Sequence, residues 1–268
     1  MLVAMLAACA GGDGVEVALP FSLRVHGAPL ECGATFPGVG APERDIEPLD
    51  GRFFVHDVAL VDAGGAAYPL TLTPDGVWQD DRVALLDFED DTGACDTGSP
   101  DTNDLVRGTA DLDVSEAVGV RFTLGVPAER NHLDAATADA PLDVSGMWWS
   151  WASGYRYARL DVRTAENPLF HLHVGGTACT LDDGVYGCTY DNLSTVDLPW
   201  TAGDVVALDL GALLEANDVE APYDGEIDFV SGCMSSESDP ECPPIFERLG
   251  ISWDGAQGTA TAFSTVAP

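Results

Sequence analysis

The hydrophobic residues of this chain fall into short runs, and in many of these runs hydrophobic and polar residues alternate. Alternation with a period of two is typical of a β-strand with one buried face, because successive side chains of a strand point to opposite faces. Glycine, proline and aspartate separate the runs, which indicates turns between strands. The predicted strands are Val15 to Val25, Arg52 to Val61, Tyr68 to Leu72, Arg82 to Phe88, Gly119 to Leu124, Tyr155 to Val162, Leu169 to Val174 and Val205 to Leu210.

Many short strands and little helix favour an all-β fold, and we predict an antiparallel β-sandwich with long loops and local disulfides. Helical turns are predicted only at Gly211 to Ala216 and Pro244 to Leu249. The segment from Ala128 to Pro141 is rich in alanine and polar residues, and we expect it to be an excursion between strands. Because no repeat or sharp change of composition divides the chain, residues 18–268 are predicted to form a single domain.

The charge of the chain excludes some partners. It has 45 acidic and 11 basic residues among 268, a formal net charge of −34, and its hydrophobic fraction of 46% is ample for a packed core. Such a surface repels nucleic acid and anionic lipid, so we expect neither as a partner. We interpret the acidic excess as an adaptation to solubility or salt. The acidic residues between Asp87 and Asp104 could hold calcium, but their spacing is not that of an EF-hand and a solvated loop is the favoured interpretation.

The first residues indicate export. Met1 to Ala8 is a short apolar run that ends in Leu6-Ala7-Ala8-Cys9, which resembles a bacterial lipobox, the site at which a cysteine is lipidated. The run lacks a basic beginning and is short for a signal peptide. We therefore interpret residues 1–17 as a truncated lipoprotein signal and tether, with Cys9 as the lipidated residue. The predicted location is the periplasm or the cell surface, with a lipid anchor as the contact with the membrane.

The remaining six cysteines suit an oxidising compartment. Four of them form two C-x8-C loops, which lack the C-x2-C spacing of a zinc knuckle and are of a length that closes readily as a local disulfide. We predict disulfides between Cys179 and Cys188 and between Cys233 and Cys242. By default, Cys32 then pairs with Cys95.

Two histidines have the spacing of a metal site. In Phe170-His171-Leu172-His173 the imidazoles are at i and i+2, which places both on the same face of a strand. Imidazole is a ligand for copper, zinc, iron and nickel. A single histidine in a strand is more often an ordinary polar side chain than a metal ligand. The metal site is therefore predicted from the i, i+2 pair and not from either histidine alone.

Catalytic motifs are absent from the sequence. There is no G-x-S-x-G elbow, no phosphate-binding P-loop, no H-E-x-x-H helix and no C-x-x-C-H haem attachment site. A different function is a cell-surface β-sandwich that binds carbohydrate, with Trp148, Trp149 and Trp151 as a stacking platform for sugar rings. That alternative does not account for the histidine pair.

An ordered series of motifs resembles the MbnP family. The matching segments are Phe53-Phe54-Val55-His56-Asp57-Val58, Trp78-Gln79, Val83 to Phe88, Arg121 to Pro127, Asn131-His132, Met147 to Tyr155, His173 to Cys179, Cys233-Met234 and Pro240 to Phe246. They cover roughly residues 18–250 in order.

The resemblance implies an exported, β-rich, copper-binding protein that is encoded beside a dihaem enzyme similar to cytochrome c peroxidase (MbnH-like). In this family the dihaem partner is understood to oxidise a tryptophan of its substrate protein to kynurenine. The chain would then be a substrate and a copper carrier, with a role in copper acquisition or homeostasis, and not an enzyme.

The resemblance also ranks the candidate residues. His173 and His132 match recurrent histidines of the family motifs, and the fold would have to bring His132 to the strand pair. His171 is the predicted strand partner of His173, and His56 is a candidate fourth ligand. The kynurenine candidates are Trp149 and Trp151, between which the sequence does not decide, and Trp78 is a weaker one. His26 has no motif support and is expected to be a surface or structural residue.

Overall fold

The computed structural model describes residues 14–96, 98–150, 152–221 and 230–268. Its strands are β1 (Val15–Val25), β2 (Ala28–Pro29), β3 (Phe36–Val39), β4 (Arg44–Pro48), β5 (Arg52–Asp62), β6 (Ala67–Pro69), β7 (Thr71–Leu72), β8 (Val83–Asp87), β9 (Leu105–Ala110), β10 (Ala117–Leu124), β11 (Trp148–Ser150), β12 (Gly154–Tyr155), β13 (Ala158–Arg159), β14 (Val162–Arg163), β15 (His171–Val174), β16 (Thr177–Asp182), β17 (Val185–Tyr190), β18 (Ser194–Pro199), β19 (Val205–Asp209), β20 (Gly232–Cys233) and β21 (Phe263–Val266). The α-helices are α1 (Leu210–Leu214) and α2 (Cys242–Leu249), and short 3-10 helices span Val114–Glu116 and Ser145–Met147.

Two large sheets contain most of these strands. The first has six strands in the order β21-β19-β1-β9-β7, with β2 also paired to β1. The second has eight strands in the order β18-β10-β5-β13-β15-β20, with β6 and β8 also paired to β5. The pairs β1–β19 and β15–β20 are parallel, so the predicted antiparallel arrangement holds for most of the pairs and not for these two.

The core lies between the two sheets. The ring of Phe21 on β1 meets the ring of Phe122 on β10 edge to face with centroids 5.4 Å apart, and Phe263 on β21 meets Phe122 at the same distance. These contacts join one sheet to the other, and rings in this geometry add to the burial of apolar area. The predicted all-β sandwich is therefore confirmed.

The burial of each strand follows its sequence pattern. Along β1 exposed or half-buried residues alternate with buried ones from Val17 onwards. In β5 consecutive residues are buried at most positions from Arg52 to Leu60, so both faces of the sheet are covered there. The predicted strand from Tyr155 to Val162 is broken into β12, β13 and β14, which pair with different neighbours. Within the described residues, ten strands lie outside the predicted segments, namely β2, β3, β4, β9, β11, β16, β17, β18, β20 and β21.

Three disulfides join the cysteines in the predicted pairs, Cys32 with Cys95, Cys179 with Cys188, and Cys233 with Cys242. The first two lie at the surface of the sandwich with at least one half-buried cysteine, and the third is fully buried between β20 and α2. Among the described residues, no helix has the length and hydrophobicity to cross a membrane. The predicted lipidation site Cys9 lies outside the described residues.

Candidate metal centre

The register of two neighbouring strands places four polar side chains on one face of the second sheet. Arg159 on β13 is opposite His173 on β15, and Val162 forms a bridge with Phe170 further along. Between these pairs, Asp161 faces His171. Because residues two apart share a face of a strand, the side chains of Arg159, Asp161, His171 and His173 are on the same side.

Both imidazoles converge on one carboxylate oxygen. Nδ1 of His171 lies 3.1 Å from Oδ1 of Asp161, and Nε2 of His173 lies 2.9 Å from the same atom. The two imidazole rings have centroids 4.7 Å apart. One ligand atom from each of the three residues lies within 4.8 Å of the others, which is a spacing that a metal ion can bridge.

His173 is buried with one ring nitrogen that has no partner. Its side chain is 4% exposed, Nε2 lies 2.9 Å from Oδ1 of Asp161, and Nδ1 has no hydrogen-bond partner. Buried polar atoms without a partner are rare and costly. A metal ion on this ring would supply the missing interaction, so the residues fit a metal.

The protonation states also suit a ligand set. Burial lowers the pKa of His173, so its ring is neutral at neutral pH and keeps a lone pair for a metal. Burial alone would raise the pKa of Asp161, but the hydrogen bond with His171, the contact with His173 and the charge of Arg159 hold this pKa well below its usual range. The carboxylate is therefore ionised.

A buried ion-pair chain holds Asp161 in position. Nε of Arg159 lies 2.9 Å from Oδ2 of Asp161, and Nη1 of Arg159 lies 3.1 Å from Oδ2 of Asp50. Asp50 also pairs with the buried Arg52. Because one carboxylate oxygen of Asp161 is held by arginine, the other is directed at the histidines.

Trp149 lies beside this group. Its indole ring has its centroid 6.2 Å from that of His173, and its Nε1 atom is buried without a hydrogen-bond partner. The guanidinium of Arg156 lies over the same indole, 5.6 Å from its centroid. The other side of Trp149 lines an open cavity of about 410 Å³, together with Ser153, Cys179 and Met234. Trp149 thus joins the candidate centre to the surface.

The other tryptophan candidates have different surroundings. Trp148 is half-buried and donates its indole N–H to the carbonyl oxygen of Leu133 at 3.1 Å. The hydrogen bond of Trp148 is thus made to Leu133, whereas Trp149 packs beside His173. Trp78 lines another cavity with Arg52 and Asp87. Trp151 lies outside the described residues.

His132 and His56 do not belong to the group around Asp161. His132 lies at the disulfide hairpin of β16 and β17, where Nε2 is 3.6 Å from Sγ of Cys188 and the ring stacks on Tyr186 with centroids 5.1 Å apart. His56 is buried on β5, with Nδ1 3.0 Å from the carbonyl oxygen of Gly125. Burial lowers the pKa of His56. The predicted role of these two residues as ligands stays a prediction.

Three groups of metal-ligating side chains occur within the described residues. Two of them contain disulfide-bonded cysteines, namely His132 with Cys179 and Cys188, and Asp239 with Cys233 and Cys242. A sulfur in a disulfide is not the thiolate that binds a metal. The group of Asp161, His171 and His173 is the one that can accept a metal without a change of its covalent state.

Asp161 and Arg156 are residues of the site that the sequence pattern does not reveal. Asp161 is one of 45 acidic residues, so its residue type carried no signal. One feature of the sequence could have indicated Asp161. It lies two residues after Arg159 in an otherwise apolar segment, and this spacing places the two polar side chains on one face of a strand.

The fold and this site define an all-β sandwich protein with a candidate metal centre. The sequence profile of the MbnP family matches residues 15–235, and the chain belongs to this family. The solved structure of MbnP from Methylosinus trichosporium is similar, with a TM-score of 0.84 and 30% sequence identity over 95% of this chain and 99% of that one. No curated protein matches the chain.

Proposed function

We propose that this chain is an exported copper-binding protein in which His171, His173 and Asp161 hold the metal. The observation that carries the proposal is the convergence of two imidazoles on one buried carboxylate, with a buried Nδ1 atom of His173 that has no hydrogen-bond partner. Several transition metals accept this set of ligands. The choice of copper rests on membership of the MbnP family and on the copper binding that the family resemblance implies.

The residues of the chain have distinct roles in this proposal. His173 supplies a neutral, buried imidazole, and His171 supplies a half-buried one at the edge of the site. Asp161 adds a negative charge that favours a cation, and Arg159 fixes the orientation of its carboxylate. When bound, copper would supply one-electron redox chemistry at this place. The role of the chain itself is binding and not catalysis.

We further propose that Trp149 is oxidised to kynurenine by a dihaem, peroxidase-like partner. With peroxide as the oxidant, such oxidation cleaves the C2–C3 bond of the indole and gives N-formylkynurenine and water. Hydrolysis then releases C2 as formate and leaves a ketone and an aryl amine. The position of Trp149 supports the proposal, because the ring contacts His173 on one side and an open cavity on the other. Trp149 is favoured over Trp78, which lies in a different cavity.

Export and lipid anchoring are part of the same proposal. They are supported by the lipobox-like Leu6-Ala7-Ala8-Cys9 and by the three disulfides, which persist in an oxidising compartment. In the periplasm or at the cell surface, copper is met without competition from the thiols of the cytosol.

Copper titration of purified variants tests the ligand assignment. We expect the double variant His171→Ala, His173→Ala to lose binding at this site, whereas His26→Asn, in an exposed turn, keeps it. Asparagine is suited to position 26 because the backbone φ there is 50°. Unchanged copper binding by the double variant would refute the assignment.

Peptide mass spectrometry of protein made with and without the dihaem partner tests the modification. We expect the mass of kynurenine in place of tryptophan at residue 149 only when the partner is present. Modification at Trp151 or Trp78 with Trp149 intact would refute the choice of residue, and an unmodified protein in the presence of active partner would refute the modification.

A further inference from the structure

The hairpin of β16 and β17 carries a second set of metal-ligating atoms, apart from the centre proposed above. Cys179 and Cys188 are directly opposite each other in this hairpin and form a disulfide. Nε2 of His132 lies 3.6 Å from Sγ of Cys188, and one ligand atom from each of the three residues lies within 4.8 Å of the others. In the disulfide form the two sulfurs are bonded to each other, so neither can bind a metal.

We propose that reduction of the Cys179–Cys188 disulfide creates a second metal site, in which two thiolates and the imidazole of His132 bind a soft or borderline cation such as Cu(I) or Zn(II). Thiolate and imidazole are the ligands that these ions prefer. The site exists only in the reduced protein, so the redox state of its surroundings controls it. This inference does not rest on the copper centre at Asp161.

Access to the sulfur atoms favours this disulfide as the one that is reduced. Cys179 and Cys188 are both half-buried, and Cys179 lines the cavity of about 410 Å³ beside Trp149 and Met234. In contrast, Cys233 and Cys242 are 0% exposed. Cys95 of the remaining disulfide is also 0% exposed, and its partner Cys32 is half-buried. Because exchange needs a thiolate to reach a sulfur in line with the S–S bond, the disulfide in which both cysteines are half-buried reacts first.

The chemistry is an ordinary thiol–disulfide exchange with a dithiol as the reductant. A thiolate of the dithiol attacks Sγ of Cys179, the S–S bond breaks, and Cys188 leaves as a thiolate. The second thiol of the reagent then displaces Cys179, so that two electrons and two protons pass to the protein and the reagent becomes a disulfide. Nε2 of His132 lies 3.6 Å from Sγ of Cys188, so the departing sulfur of Cys188 has a hydrogen-bonding group beside it. Metal binding afterwards displaces the thiol protons.

Contacts other than the disulfide hold the ligands in place after reduction. The hairpin keeps its ladder of backbone pairs from Thr177 with Tyr190 to Asp182 with Val185. Tyr186 stacks on the ring of His132, and the hydroxyl of Tyr190 donates to Glu237 at 2.6 Å. The three ligands therefore remain neighbours when the S–S bond is broken.

A cobalt titration of the full chain tests the proposal. The protein is treated with dithiothreitol, freed of the reagent without oxygen, and its thiols are located by alkylation and peptide mass spectrometry. We expect thiols at Cys179 and Cys188 and not at the other cysteines. Co(II) should then give a thiolate-to-metal absorption band in the near ultraviolet whose intensity corresponds to one thiolate-bound ion per chain, whereas the untreated protein gives no such band.

Variants of His132 identify the third ligand. His132→Ala and the similarly sized His132→Gln should each weaken Co(II) binding at least about tenfold, whereas His26→Asn should not. A reduced protein with both thiols and no absorption band would overturn the proposal. So would a band whose affinity is unchanged in both His132 variants, or reduction of Cys233–Cys242 before Cys179–Cys188.

Discussion

Gly175 has no side chain at the point where the indole of Trp149 lies against the backbone: a Cβ atom there would be 2.5 Å from Cζ3 of the ring. Real Cβ atoms do not approach so closely, so the ring position depends on this glycine. The backbone φ of Gly175 is not positive, so an L-residue could adopt this conformation. Alanine is therefore disfavoured at position 175 by the steric clash with the indole and not by the backbone.

We predict that Gly175→Ala displaces Trp149 from His173 and lowers the free energy of unfolding by about 1–3 kcal/mol, which is usual for an overpacked site. Kynurenine formation at Trp149 should fall with it. The near-ultraviolet circular dichroism of the folded variant and peptide mass spectrometry measure the two effects. Gly187→Ala is the control, because nothing lies within 4 Å of a Cβ atom at Gly187. Full modification of Trp149 in Gly175→Ala would contradict the proposed dependence.

Asp161→Asn should weaken copper binding at least about tenfold, since the change removes the charged ligand and leaves the shape of the side chain. It should also lower the free energy of unfolding by about 3–5 kcal/mol, because Arg159 loses the charge of one buried partner. Copper titration and denaturant unfolding measure these two quantities.

Asp50→Asn is the matched control for this change. Asp50 pairs with Arg159 and Arg52 and is 0% exposed, but it does not belong to the ligand group. We expect it to lose stability while it keeps copper affinity. Equal loss of copper affinity in both variants would show that Asp161 acts through the ion-pair chain and not as a ligand.

Asp87 gives the stability of the protein a dependence on pH. Burial raises the pKa of Asp87 to about 7, although the charge of Arg52 opposes the shift. An acid whose pKa is raised by folding binds its proton more tightly in the folded state, so its contribution to stability is present at low pH and is lost as the pH rises through about 7. The interpretation of residues 87–104 as a solvated acidic loop is wrong for Asp87 and Glu89, which are buried, whereas Asp91, Asp101 and Asp104 are exposed.

We predict that Asp87→Asn becomes more stable relative to the unchanged protein as the pH rises from about 5 to about 8, by on the order of 2 kcal/mol. Urea unfolding at several pH values measures the difference. Asp101→Asn, at an exposed position of the same segment, should show no such trend. A difference for Asp87→Asn that is constant over this range would be evidence against a raised pKa.

The strand pattern and the histidine spacing could be predicted because they are local. The observed strand β1 has the same bounds as the predicted one. One face of this long strand packs on the core, so buried and non-buried residues alternate strictly along it and the pattern is easy to recognise. The i, i+2 spacing likewise places His171 and His173 on one face before any tertiary contact is known. The disulfides follow from loop length in two of the three cases.

Asp161 and Gly175 could not be found in this way, because their importance arises from the pairing of strands. Asp161 meets His171 through the register of β13 and β15, and a register is a property of two segments that are distant in sequence. Gly175 is required because the indole of Trp149 packs against it. The position of Trp149 depends on the path of the chain around residue 148, which Arg156 holds by hydrogen bonds to the carbonyl oxygens of Gly146 and Trp148. The alternation of hydrophobic and polar residues within one segment predicts neither of these contacts.

The most direct test of the central claim is an anomalous difference map, measured at the copper absorption edge, from crystals of the copper-loaded protein. The proposal predicts that the strongest peak lies within coordination distance of a ring nitrogen of His171, a ring nitrogen of His173 and a carboxylate oxygen of Asp161. A strongest peak at His132, at His56 or anywhere else in the chain, with none between the two strand histidines, would contradict it.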